Sequence, residues 1–285
     1  MHINYWKELK KNTFGKIGLA MLILVVIIAG SFPLLARYDP GEPSHSALKP
    51  PSSEHWLGTN DVGQDIWSRL VYGARNSLLV ALGVGLFTTL LGTVAGASAA
   101  LVGGLYERIM MRMVDALIAI PAFIVIILVA AYVLPNVWAL IFLISILTWQ
   151  GGARIVRAQT LSLKERMHVY AARAFGAKKL YITTRHIIPE LGPILFAVFI
   201  HSATRGVFME AGLAFLGIAD ISTVSWGLMM HYALKYYYLE VWKWWLLPTG
   251  LALSVTIMAF VFIGHAFETA MDPRLRVMER KDWQC

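Results

Sequence analysis

The stretch from Ala116 to Ala153, ALIAIPAFIVIILVAAYVLPNVWALIFLISILTWQGGA, contains no charged residue. As one α-helix rising about 1.5 Å per residue it would extend about 57 Å, nearly twice the roughly 30 Å of a bilayer hydrocarbon core. Leu134-Pro135-Asn136 lies near its middle, where proline removes a backbone donor and clashes with the preceding turn. The stretch therefore reads as two membrane spans joined by a tight hairpin.

The same arithmetic extends to both ends of the chain. Ile17 to Ala36 is uncharged and follows Lys7, Lys10, Lys11 and Lys16. A secretory signal has a similar layout. This apolar run is long for one, however, and Leu34-Leu35-Ala36-Arg37 is a poor cleavage site, so it reads as a retained first span. A second span lies within Asn76–Tyr106, a fifth begins near Pro193, and a sixth covers about Trp244 to Phe267. The expectation is an all-α integral membrane protein with six transmembrane helices. Composition agrees: of 285 residues, 58% are hydrophobic and 15% charged, against about 45–50% and about 25% in soluble domains. The single cysteine, Cys285, excludes a disulfide scaffold or a multi-thiolate metal site.

Six crossings return both ends to one side. With the N-terminus inside, the inside segments are 1–16, 104–113, 153–192 and 269–285. These hold 18 of the 25 Lys and Arg residues, the outside segments hold six, and Arg205 alone falls within a span. The positive-inside rule then places both termini in the cytoplasm. The net charge of +8 is thus mostly topological, and no basic stripe with interleaved aromatics marks a nucleic-acid partner. The chain divides into an N-terminus (1–16), a first span (17–36), an external loop (37–75), a five-helix core (76–268) containing a long cytoplasmic loop (153–192), and a C-terminal tail (269–285).

The cytoplasmic loop carries the clearest pattern. Ser162 and Glu165 have the spacing of a capping box. Met167, Tyr170, Ala171, Ala174 and Phe175 follow as an apolar stripe at helical spacing, and Gly176 supplies the left-handed residue that commonly ends a helix. A second short helix runs to Arg185, and Pro189 and Pro193 bracket the return to the membrane. Such an amphipathic helix either lies on lipid headgroups or docks on a partner protein, and these residues by themselves leave both open.

Ala171-Ala172-x-x-x-Gly176, followed after nine residues by His186-Ile187-Ile188-Pro189, resembles the EAA loop of ABC importer permeases. In that family the loop forms a coupling helix seated in a cleft of a separate ATPase subunit. Tyr170 stands where the family carries glutamate, so a contact through that carboxylate is not expected. Further segments resemble the dipeptide, oligopeptide and nickel permeases in order along the chain. They are His55 to Asp65 with Ser68-Arg69, Tyr72 to Leu78, Asp115 with Ala119-Ile120-Pro121, Phe215-Leu216-Gly217, Ser225 to Met229, and Asp272 to Leu275. Two features depart from the pattern: Ile218–Val224 lacks proline, and Tyr236 to Trp245 is unusually aromatic.

The resemblance implies a type I ABC importer permease, the second permease subunit of its system, in a bacterial or archaeal plasma membrane. It implies as partners a homologous permease, two ATPase subunits and an external binding protein, besides the lipid bilayer. ATP and Mg would bind the ATPase subunits, and this chain would hold no cofactor. Glu165, Tyr170, Ala171, Ala172, Phe175, Gly176, His186 and Pro189 become the expected coupling residues. Peptides are the expected cargo, with nickel or a metal chelate as the alternative.

No G-x-x-x-x-G-K-[ST] phosphate loop is present, so no ATP hydrolysis is expected in this chain. Nor do the residues assemble a nucleophile, histidine and acid for hydrolysis. A gradient-driven transporter would show inverted repeats and discontinuous spans, which the sequence lacks. Gly92, Gly96, Ala100 and Gly104 recur every fourth residue and are expected to let helix backbones meet closely. Ionisable residues at membrane depth point to function. Arg205 and Glu210, with His201 nearby, are therefore candidates for the pathway or a subunit contact. Asp115 and Glu268 are expected to end helices or to pair with Arg112 and Arg274.

Overall fold

The computed structural model describes residues 12–43, 46–218, 220 and 223–271. Apart from one isolated antiparallel bridge between Thr59 and Asp65, regular structure among these residues is helical. Four helices are individually long and apolar enough to cross a membrane, and up to six spans result if each of two bent pairs counts as one.

Helix α1 (Thr13–Gly30) starts where the Asn12 side chain accepts from the amides of Phe14 and Gly15. The uncharged run does not continue as one helix to Ala36. The Ser31 amide bonds to the Ile27 carbonyl, and a short α2 (Phe32–Leu35) follows with proline in its first turn. Helix α3 (Ile66–Val102) begins ten residues before the uncharged stretch. Asp65 decides this start. Its Oδ2 accepts from the Ser68 amide and hydroxyl, both at 2.7 Å, and its Oδ1 meets His55 Nδ1 at 2.9 Å. A carboxylate at that position satisfies free donors and suits the positive end of the helix.

Two helix pairs are bent. Helix α4 (Gly104–Ala119) meets α5 (Ala122–Val133) at 73°, and α6 (Val137–Thr148) meets α7 (Gln150–Lys164) at 51°. The first bend sits at Ile120-Pro121, where proline leaves a carbonyl of α4 without its helical donor. The hairpin expected at Leu134-Pro135-Asn136 is present. Leu134 adopts φ 44° with its amide on the Ala130 carbonyl, and Asn136 caps α6 through the Ala139 amide.

The loop expected to be cytoplasmic differs from its expected form. Ser162 does not cap a helix, because α7 runs through it to Lys164 and α8 (Met167–Ala174) starts at Arg166 without a side-chain cap. Burial of Val156, Leu163 and Val169 in one cluster sets that register. Pro189 and Pro193 do not break the chain either: α9 (Lys179–Ile182), a π-turn (Thr183–Ile187) and α10 (Ile188–Phe215) form one continuous helical course. The Ile188 amide bonds to the Thr183 carbonyl. This wider turn precedes Pro189, whose ring would clash with the carbonyl of an ordinary preceding turn. Helices α11 (Trp226–Lys235) and α12 (Leu246–Met271) complete the fold, joined by a 3₁₀ turn at Glu240–Lys243.

Helix α3 is the hub, packed by α10, α7, α6 and α1. At Gly96 an added Cβ would lie 2.3 Å from the Ala153 carbonyl and 3.0 Å from the Arg157 amide nitrogen. The small residues Gly92 and Gly96 therefore do seat the backbone of α7 directly on α3. Gly104 is different: it sits in the turn at φ 62° with open space around it. On its other side α3 exposes Leu82, Leu86, Leu90 and Val94, an unbroken apolar stripe suited to lipid or another membrane helix.

Candidate functional site

The segment around α8 is anchored by what faces inward. Val169, fully buried, joins Val156, Leu163, Ile182, Ile187 and Leu191, with Ala172 and Ala177 against them. Lys164 Nζ donates to the Ala100 carbonyl at 2.6 Å, tying the end of α7 to the end of α3. Glu190, in the first turn of α10, accepts from Arg166 at 2.7 Å and meets His168 Nε2 at 2.9 Å. These contacts hold α8 at a fixed place below the bundle.

The outward face then follows. Met167, Tyr170 and Phe175 are 81%, 67% and 91% exposed, so most of the apolar stripe read from the sequence points away from its own chain. Ala171 and Ala172 are half-buried, Glu165 and Pro189 are exposed, and His186 sits half-buried between the rings of His168 and Tyr181. The helix ends in a Schellman cap: the Gly176 amide bonds to Arg173 and the Ala177 amide to Ala172, at 2.9 and 3.0 Å. Gly176 has φ 80°, a conformation that costs little only without a Cβ. Val169 and Glu190 had no part in the sequence reading. Val169 looks like any apolar helix residue, and the role of Glu190 depends on a contact 24 residues away.

The polar residues at membrane depth separate into two environments. His201 and Arg205 are exposed on one face of α10, one turn apart, beside a cavity of about 520 Å³ that Thr148, Gly152 and Phe208 also line. His201 Nε2 lies 2.6 Å from Glu268 Oε1 of α12. Arg205 has no partner among the described residues. Glu210 faces the opposite way. It is 5% exposed, beside Asn76 and Ser225 at the α3–α10 contact, and its Oε2 lacks a hydrogen-bond partner among the described residues. Arg205 and Glu210 therefore do not share a face.

One expected pairing is corrected. Asp115 bonds Arg154 across the α4–α7 contact at 2.5 Å rather than Arg112, because the bend between α6 and α7 turns Arg154 toward α4. Glu268 is held by His201, and Arg274 lies outside the described residues, as do the Asp272–Leu275 motif, residues 1–11 and most of the tail. Among the described residues no group of three or more His, Cys, Asp or Glu is assembled for a metal.

Residues 89–277 match the family described as binding-protein-dependent transport system inner membrane component, and residues 4–51 match the N-terminal TM domain of oligopeptide transport permease C. The chain belongs to this permease family. It is 33% identical over 273 residues to the dipeptide transport system permease protein DppC of Bacillus subtilis, covering 95% of this chain and 85% of that protein. It is 32% identical over 281 residues to the oligopeptide transport system permease protein OppC of the same organism, covering 96% and 91%. The protein is a membrane-embedded, multi-pass transport permease.

Proposed function

We propose that this permease is one of two homologous membrane subunits of an ATP-driven importer for di- or oligopeptides in a bacterial plasma membrane. It crosses six times with both termini in the cytoplasm, the bent pairs α4–α5 and α6–α7 each counting as one crossing. The relatives named for dipeptide and oligopeptide transport support a peptide cargo, and nickel or a metal chelate is not favoured. An external binding protein delivers the peptide, and two partner ATPase subunits hold ATP and Mg.

One observation carries the mechanism. Helix α8 is fixed to the bundle through Val169 and Ala172 while presenting Met167, Tyr170 and Phe175 outward. An exposed aromatic pair on an anchored short helix suits insertion into a protein cleft. Glu165, Ala171, Gly176, His186 and Pro189 frame that surface. Closure of the ATPase dimer would push α8, and the continuous course from Lys179 to Phe215 would carry the push into α10 as a rigid-body movement. Tyr170 replaces a carboxylate contact with an aromatic one.

His201 and Arg205 are assigned to the pathway face. An unpaired guanidinium at this depth is tolerated only beside water, a cargo or another subunit. Glu210 is assigned to the contact inside this chain that holds the Ser225 segment to α3 and α10. The test is reconstitution with the partner permease, ATPases and binding protein. Phe175→Ala with Tyr170→Ala should abolish peptide-stimulated ATP hydrolysis and uptake while membrane insertion persists. Uptake at the unsubstituted rate, or ATP-independent uptake by this chain alone, would count against the assignment.

A further inference from the structure

A polar cavity of about 440 Å³ opens between α4 and α7, lined by Glu107, Arg108, Arg112, Asp115 and Arg157. It shares no lining residue with α8 or with the cavity beside His201 and Arg205. Both acids are already matched from α7: Arg157 donates to Glu107 at 2.7 Å through Nε, and Arg154 to Asp115 at 2.5 Å. Arg108 and Arg112, one turn apart on α4, are exposed and have no partner among the described residues. The hollow thus keeps two uncompensated guanidinium groups on one helix face.

The neighbouring face of α4 is apolar and equally open. Leu105, Ile109 and Met113 are 67%, 61% and 44% exposed. At about 100° per residue they form a stripe roughly 90° around the helix from Arg108 and Arg112. Helix α5 has 12 residues and reaches only about 18 Å of the roughly 30 Å core. Helix α4 leaves it at 73° and carries Glu107, Arg108, Arg112 and Asp115 beside that apolar stripe, the amphipathic make-up that suits the border between hydrocarbon and headgroups. A basic hollow bordered by an apolar stripe at that depth matches a ligand with a phosphate at one end and a hydrocarbon chain beside it.

We propose that this cavity binds the headgroup of an anionic phospholipid, with the phosphate forked by Arg108 and Arg112 and an acyl chain lying along Leu105, Ile109 and Met113. A zwitterionic lipid brings its own ammonium and gains less from two free guanidinium groups, so the site selects for net negative charge. The inference requires membrane insertion and is independent of the coupling role of α8.

The assembled transporter, extracted from bilayers of equal phosphatidylglycerol and phosphatidylcholine, is examined by native mass spectrometry. It should retain phosphatidylglycerol selectively, and Arg108→Gln with Arg112→Gln should weaken that preference roughly thirty-fold, as expected for two juxtamembrane arginines. Photoactivatable phosphatidylglycerol added to the unsubstituted complex should label the segment 104–113, so the answer does not depend on the variant folding. Equal retention of both lipids, unchanged retention in the variant, or labelling confined elsewhere overturns the proposal. Displacement of the lipid by millimolar inorganic phosphate would overturn it in favour of a free-anion site. Loss of a subunit from the variant complex would overturn it in favour of a protein contact.

Discussion

Gly176 isolates backbone conformation from packing. Its φ is 80°, and a Cβ added there would meet nothing within 4 Å, so substitution acts through the backbone alone. An L-residue held in the left-handed region costs about 1–2 kcal/mol, with β-branched side chains at the upper end or beyond and asparagine least affected. The conformation is held by two cap hydrogen bonds, Gly176 to Arg173 and Ala177 to Ala172, each worth about 1 kcal/mol net. For valine the strain rivals the whole cap, so the end of α8 should unravel and Phe175 should lose its fixed position. The expected order of activity is glycine, then asparagine, alanine and valine, with the last reduced roughly tenfold or more, since 1.4 kcal/mol is a tenfold population change. Peptide-stimulated ATP hydrolysis and uptake would be measured in proteoliposomes, with expression and subunit assembly as controls. Valine at full coupling, or asparagine as damaging as valine, would refute the reasoning.

Other substitutions test the scaffold and the pathway. Gly96→Val should force α3 and α7 apart, because its Cβ alone would sit 2.3 Å from the Ala153 carbonyl; an overpacking penalty of about 1–3 kcal/mol or more should appear as a lower Tm in detergent. Asp65→Ala removes the α3 cap and the His55 contact, and a loss of about 1–2 kcal/mol should be visible as faster proteolysis of segment 46–65. Leu163→Ala, at a site 1% exposed, should cost about 2–5 kcal/mol locally and lower uptake more than it lowers assembly, read by comparing transport with subunit co-purification. Arg205→Leu should leave insertion intact yet reduce peptide flux several-fold, and unchanged flux would remove Arg205 from the pathway.

Much of this organisation is visible in the residues. Uncharged runs, a proline between two of them and lysines at their flanks report on hydrocarbon thickness and backbone donors, which are local quantities. The hairpin at Pro135 and the glycine stop at position 176 follow from single residues with narrow conformational options. The start of α3 was less visible: Arg69 and Arg75 look like the edge of a span, yet Arg69 is folded inward, donating to the Pro40 carbonyl at 2.7 Å. Pro121 and Pro193 illustrate the remaining difficulty. The first sits at the bend between α4 and α5 and the second lies inside an uninterrupted helix, because neighbouring packing decides whether a missing donor is tolerated.

The sequence alone determined that this chain belongs in a bilayer and which of its stretches are apolar enough to cross one. Only the tertiary structure decided how the ionisable residues are used. Asp115 and Arg154 are 39 residues apart and Glu268 and His201 are 67 apart, so their pairing depends on helix bends and crossings. Hydropathy does not encode those. Glu210 and Arg205 read alike as charges within one span, yet one is enclosed by α3 and the other is open. The face a residue presents is set by which helices pack around it.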